Sequence, residues 1–265
     1  MQNALTAALG KGFPWAQQLH CYESVTSTNV LAKELATQGA PHGTILLASH
    51  QSAGRGRLGR SFHSPNHSGL YLSLLLRPRC NADALMHLTC SAAVAACDAL
   101  EAACGCRPGI KWTNDLVWGT KKVGGILTEL GWPGDGKLDY AIIGIGVNRT
   151  QQPADFPQEL QNMAASVSMM AGRSVDAVTL AAEMIRAFYR MDQSLLSGKG
   201  EIMARYRADC IALGIDICLL APDGVQYGHA LDVDDQGALT VLFADGTVRA
   251  VAAGEVSVRG MYGYI

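Results

Sequence analysis

Charge is scarce in this chain. Only 17% of its 265 residues are Asp, Glu, Lys or Arg, and the formal net charge is −2. A protein that holds duplex nucleic acid is more often basic overall, so any cationic surface here must be local. No apolar run in the sequence reads as long enough to span a bilayer. The N-terminal stretch MQNALTAALGKGFPWAQQLH has no basic region ahead of an apolar core and does not read as a signal peptide. None of the eight cysteines forms a C-x-x-C pair, which argues against a zinc site. The absence of G-x-x-x-x-G-K-[ST] excludes a Walker-type phosphate loop. There is no internal repeat and no low-complexity segment. Without a secretory signal, the thiols read as reduced and the compartment as cytoplasm.

What is present is a 49% apolar share, typical of a folded chain long enough for one large domain and a small one. STNVLAKELATQG opens on capping residues and closes on glycine, predicting a helix over 28–38. GTILLASH and GLYLSLLLRP read as strands, the second ended by Pro78. Residues 81–103 form one long alanine-rich helical pattern in which Cys90, Cys97 and Cys104 share a face as small apolar residues. GIKWTNDLVW begins as a strand and breaks at Thr113, Asn114 and Asp115, which are turn formers. KKVGGILTELGW and KLDYAIIGIGVN read as two strands joined by a PGDG hairpin. The pattern over 163–210 is helical. From Gly214 onward, short strands alternate with PDG, DDQG and ADG turns, as in a small β-barrel. The expected architecture is α+β, a mixed or antiparallel sheet flanked by helices over 1–213, with a β-module over 214–265.

GRGRLGRSFHSP, from Gly54 to Pro65, interrupts that order with three arginines among three glycines. A solvated loop is a poor account of so biased a stretch. A nucleic-acid arm is a second reading, although the chain's acidity and the loop's place between two strands weigh against it. A third is a mobile clamp over a small anion, in which glycines aim backbone N–H groups and arginines supply permanent charge. Downstream, KWTNDLVWGTKKVGG sets Lys111, Asn114, Asp115 and Lys122 around a strand–loop–strand, a combination suited to a nucleotide with Mg2+. GIGVN has Gly144 and Gly146 but no third glycine of a dinucleotide fingerprint, so it reads as a strand that admits a close neighbour.

Five motifs occur in register: STN at 27–29, QSAGRGRLGR at 51–60, KWTND at 111–115, KKVGGIL at 121–127 and GIGVN at 144–148. Together with the C-terminal AGEVSVRG they resemble the biotin protein ligases, from the region of His20 to the end. The resemblance implies a class II synthetase-like fold with an SH3-like C-terminal barrel. It also implies an ATP-dependent, AMP-forming activity that makes biotinoyl-5′-AMP and transfers biotin to one lysine of a biotin carboxyl carrier protein. On this resemblance, Ser27, Thr28, Asn29 and Gln51 hold the biotin head, and the backbone of Gly54 and Arg55 completes its pocket. Gly125, Gly144 and Gly146 give the ligand close approach. Arg57 and Lys122 face the carboxylate and the α-phosphate, and Lys111 neutralises phosphate. Asp115 organises the metal or the incoming amine. Arg60, Phe62, Asn114 and Asn148 belong with the adenylate.

Two positions depart from the family's usual pattern. Thr113 stands where proline is common, and Phe62 where tryptophan often lies beside the adenine, which keeps stacking but loses area and the indole donor. Some members carry an N-terminal helix-turn-helix that represses transcription. So few residues precede the similarity here that no such domain, and no nucleic-acid or membrane partner, is expected. Monomer and homodimer both stay open. The alternative activity is a lipoate or octanoate ligase of the same fold, whose arginine-glycine motif differs.

Overall fold

The computed structural model describes residues 1–132, 137–221, 224–252 and 257–260. Seven strands build the larger sheet: β1 (Leu19–Val25), β2 (Thr44–Gln51), β3 (Gly69–Leu76), β4 (Gly109–Lys111), β5 (Asp115–Trp118), β6 (Lys121–Gly131) and β7 (Tyr140–Asn148). They lie in the order β1-β2-β3-β7-β6-β5-β4. The β1–β2 pair is parallel and the others are antiparallel, so the sheet is mixed. The tip expected at Pro133, Gly134, Asp135 and Gly136 lies outside the described residues, as do Pro222 and Asp223 of the PDG turn.

Both faces of the central strands are covered, which is why they read as nearly continuous apolar runs. Ile45 and Leu47 of β2 point into the main core, while Leu46 between them joins Leu75 and Ile142 beneath α2 (Thr28–Thr37). The main core packs against α1 (Gln2–Leu9), α3 (Leu88–Cys104), α5 (Ala177–Ser194) and α6 (Lys199–Asp209), with the short α4 (Val167–Ala171) beside α3. Cys90, Cys97 and Cys104 are all buried in α3. Burial pushes the Cys90 thiol up to about 12, as expected of a packing residue.

The expected long helix over 81–103 divides. A single 3-10 turn, Ala82–Leu85, is capped by Asn81, whose side chain accepts from the Ala84 N–H at 3.2 Å, and α3 begins only at Leu88. Among the described residues, Ala82–Cys104 alone is long and apolar enough to cross a membrane, contrary to the reading that no such run exists. It is 72% buried inside the protein and serves as the core helix. The helical stretch 163–210 is three helices, parted by Gly172 in the left-handed region and by residues 195–198. Patterning marks neither α1 nor β1. The latter is an edge strand whose polar residues give weak alternation.

The smaller sheet has five antiparallel strands: β8 (Asp216–Ala221), β9 (Gly224–Val233), β10 (Leu239–Phe243), β11 (Val248–Val251) and β12 (Ser257–Gly260), in the order β11-β10-β9-β8-β12. Ile217, Leu219 and Val241 belong to the same apolar cluster as α3. Trp112 Nε1 donates to the Gly237 carbonyl at 3.0 Å, and Arg207 on α6 pairs with Asp232 and Asp235. The small sheet is thus fastened beside the KWTND turn.

Candidate active site

A cavity of ≈ 240 Å3 opens where the start of α2, the end of β2, the glycine-arginine loop, the KWTND turn and strands β6 and β7 meet. Every predicted site residue except Gly54 and Asn148 lines it. Gly54 lies at the loop's base, where its carbonyl accepts from the Phe62 N–H at 2.9 Å. A Cβ on Gly54 would stand 2.5 Å from the Phe62 carbonyl oxygen, so that turn requires glycine. Asn148 ties segments together behind the wall. Its Nδ2 donates to the Ala165 carbonyl at 3.0 Å and to that of Lys122 at 3.4 Å.

The floor is polar, uncharged and internally bonded. Ser27, Thr28 and Asn29 open α2, and all three are buried. Gln51 Oε1 accepts from the Thr28 N–H at 2.8 Å and lies 3.1 Å from Thr28 Oγ1, while Gln51 Nε2 donates to Ser64 Oγ at 3.1 Å. Ser73 Oγ, wholly buried on β3, sits 2.6 Å from Asn29 Oδ1 and 2.7 Å from Thr28 Oγ1. Such mutual bonding fixes side chains that solvent would otherwise disorder. Gly144 gives the Asn29 carboxamide its space, because a Cβ there would lie 2.1 Å from Oδ1.

The mouth is cationic. The loop folds as a tight hairpin: Gly56 N–H donates to Arg60 O at 2.7 Å, Arg55 pairs with Ser61, and Leu58 at the tip has φ 54°. Arg57 reaches back across the cavity, where Nη1 donates to Asn114 Oδ1 at 3.0 Å and to Thr113 Oγ1 at 3.3 Å. Burial holds its guanidinium below the usual value, and Asp115 partly offsets this. Lys111 is only 3% exposed, so its charge is kept within the protein. Lys122 Nζ donates to Asp115 Oδ1 at 2.6 Å and lies 5.9 Å from the centre of the Phe62 ring. Gly125 makes room for this pair, since a Cβ there would come within 3.0 Å of Lys122 Nζ. Phe62 packs over Gly146, where a Cβ would lie 2.5 Å from the ring.

Several supporting residues were not among the predicted site residues. Leu160, Met163, Ile126 and Ile145 form apolar wall, and Val258 of the small sheet also reaches the cavity. Met163 O accepts from the Lys122 N–H at 2.8 Å and so anchors the start of β6. Tyr206, fully buried on α6, donates its hydroxyl to the Thr113 carbonyl at 3.0 Å, beneath the KWTND turn. Of the residues missed, Ser73 alone had a visible cue: a single hydroxyl within the apolar run LYLSLLL.

Comparison with known proteins places the chain in a family. Residues 21–148 match the Biotin/lipoate A/B protein ligase family, and residues 212–259 match the Biotin protein ligase C terminal domain. The chain is 36% identical over 238 residues to the bifunctional ligase/repressor BirA of Bacillus subtilis, covering 89% of this chain and 73% of that protein. It is 35% identical over 240 residues to the biotin–[acetyl-CoA-carboxylase] ligase of Paracoccus denitrificans, covering 88% of this chain and 98% of the relative. Among solved structures, the biotin protein ligase of Aquifex aeolicus in complex with biotin and ATP superposes with a TM-score of 0.75 at 28% identity, covering 91% of this chain and 98% of that one. With the fold, both matched segments and these relatives in agreement, the chain belongs to the biotin protein ligases of the biotin/lipoate A/B protein ligase family.

Proposed function

We infer that this protein is an ATP-dependent ligase that activates biotin as biotinoyl-5′-AMP and transfers it to a lysine of a biotin carboxyl carrier protein. One observation carries the residue-level reading: a neutral, hydrogen-bonding floor and a cationic mouth share a single cavity. Biotin has the matching polarity, with an uncharged ureido head at one end and a carboxylate at the other. Ser27, Thr28, Asn29 and Gln51 take the head. Arg57, Lys111 and Lys122 take the carboxylate and the phosphates.

In the first step, a carboxylate oxygen of biotin attacks the α-phosphorus of ATP. The new P–O bond forms as the bond to the bridging oxygen of the β-phosphate breaks, and pyrophosphate leaves with that electron pair. Both reactants are anions, so the barrier falls when fixed cations neutralise their repulsion and the charge that builds on the phosphoryl oxygens. Arg57, Lys111 and Lys122 do this. Arg55 and Arg60 extend the same field to the loop, and Phe62 offers an aromatic face to adenine, with Asn114 and Asn148 behind it. In the second step, a neutral lysine amine of the carrier attacks the acyl carbon, the C–O bond to AMP breaks, and the nitrogen loses a proton as the amide forms. Asp115, already bonded to Lys122, is the carboxylate that orients this amine. A Mg2+ ion brought by the nucleotide needs only one or two protein carboxylates, so Asp115 fits it, and the ion supplies further neutralisation of the phosphates.

Lipoate fits the floor poorly. Its dithiolane ring has no N–H and no carbonyl, so the buried hydroxyls and carboxamides would lose hydrogen bonding on binding it. We also place a domain boundary after Leu213, giving a ligase domain over 1–213 and an SH3-like module over 214–265. The eight free cysteines fit a reducing compartment such as the cytoplasm. The test is pyrophosphate release with ATP and Mg2+, given biotin or lipoate in turn. Release with biotin alone is expected, and equal release with lipoate would reverse the assignment.

A further inference from the structure

Behind the floor lies a carboxylate that none of the motifs contains. Glu129, on β6, is largely enclosed, with 17% of its side chain exposed. Its two oxygens are divided between two donors: Oε1 accepts from Lys33 Nζ at 2.5 Å, and Oε2 accepts from Asn29 Nδ2 at 2.8 Å. A carboxylate can only accept, so it dictates which end of the Asn29 carboxamide faces it. The Leu127 carbonyl, 3.3 Å from the same Nδ2, enforces the same choice. Asn29 Oδ1 must then face Ser73 and the gap left by Gly144, on the pocket side.

From this geometry we propose that Glu129 is a positioning residue for biotin: by fixing the orientation of Asn29, it sets the hydrogen-bond polarity that the floor presents to the ureido head. Lys33, on α2 one turn beyond Asn29, supplies the countercharge to the carboxylate in this partly dry site. The proposal rests on the reading of this cavity as a biotin site.

Glu129→Gln makes a specific test because a carboxamide has one accepting end where the carboxylate has two. The cation Lys33 claims the glutamine oxygen, and the glutamine NH2 then faces Asn29. Asn29 is driven to turn its own oxygen toward it, which reverses the polarity at Ser73 and the floor. The mismatch should raise the biotin KM about tenfold, the usual cost of one misdirected buried hydrogen bond. The ATP KM should stay within about twofold, because the phosphates meet other residues. Adding Lys33→Met releases the glutamine oxygen to accept from Asn29 again. The double variant should therefore recover most of the lost biotin affinity, although it has lost one more wild-type group.

The measurement is KM for biotin and for ATP, by pyrophosphate release, on wild type, E129Q and E129Q/K33M, with thermal melting alongside. A merely structural role would lower the melting temperature in both variants and move both KM values together. An unchanged biotin KM in folded E129Q, or a double variant no better than the single one, overturns the proposal. If E129Q fails to fold, biotin titration of Asn29→Asp decides. Two carboxylates would then face each other, so the proposal requires a raised dissociation constant, and wild-type affinity overturns it. Absence of biotin-dependent turnover in the wild type would instead overturn the functional reading itself.

Discussion

At the floor of the cavity, Thr28, Asn29, Gln51 and Ser73 hydrogen-bond to one another on three different elements: α2, β2 and β3. At the mouth, Arg57 and Lys122 bond instead to a turn and to a single carboxylate. The floor is neutral and braced by the sheet. The mouth is charged: Lys111 and Lys122 stand on strands β4 and β6, while Arg57 belongs to a hairpin whose tip, Leu58, is 57% exposed. The contrast is instructive. Recognition of an uncharged head needs donors and acceptors held still before the ligand arrives. Joining two anions needs concentrated charge, and a loop can bring that charge in with the substrates and keep water from the anhydride.

That contrast predicts different kinetic signatures for the two ends. The largest effect is expected for Lys122→Ala. On the proposed role of Lys122 at the reacting phosphoryl group, losing its charge and parting Asp115 from its lysine should cost about 3 kcal/mol of transition-state stabilisation, roughly a hundredfold in the rate of pyrophosphate release. Near-normal release by a folded variant would make Lys122 an ordinary strand-end residue. Next comes Gln51→Leu, which removes the acceptor of the Thr28 N–H and the donor to Ser64. Its expected cost is about 2 kcal/mol, read as a higher biotin KM with little change in the ATP KM. Equal rises in both constants would erase the distinction between floor and mouth.

Arg57→Ala should act chiefly on retention. Without its bonds to Thr113 and Asn114, the hairpin loses its tie to the turn, and biotinoyl-AMP should escape about tenfold faster. Biotin appearing on lysines of unrelated proteins, followed by mass spectrometry, measures that leakage. A variant as tight as wild type would show that the hairpin is held by its backbone alone. The smallest effect belongs to Trp112→Phe, which leaves the Gly237 carbonyl unpaired and costs about 1 kcal/mol. A melting temperature lowered by about 2–4 °C is expected, with a smaller change in biotin KM than Gln51→Leu produces.

The mouth was far more legible in the sequence than the floor's support. GRGRLGR and KWTND are compositionally odd, because flexible backbone and buried charge have few structural uses. Thr28 and Gln51 are ordinary residues, and only their place among the motifs marks them. Ser73 and Glu129 belong to strands and reach the site through pairing between distant segments, which no local pattern records. The larger strands were visible from their apolar runs, but β1 was not, because an edge strand with polar residues has little alternation. The break before α3 depends on the Asn81 cap, a local bond that a long run of helix formers conceals.

The division of labour between the two ends is tested most directly by calorimetric titration of biotin, without ATP, into wild type, Gln51→Leu and Lys122→Ala. The account predicts that Gln51→Leu weakens biotin binding by more than about tenfold. Lys122→Ala should bind within about tenfold of wild type, because it loses only one contact to the ligand's carboxylate, even though its pyrophosphate release has collapsed. The reverse order, with Lys122→Ala blind to biotin and Gln51→Leu binding normally, would contradict it.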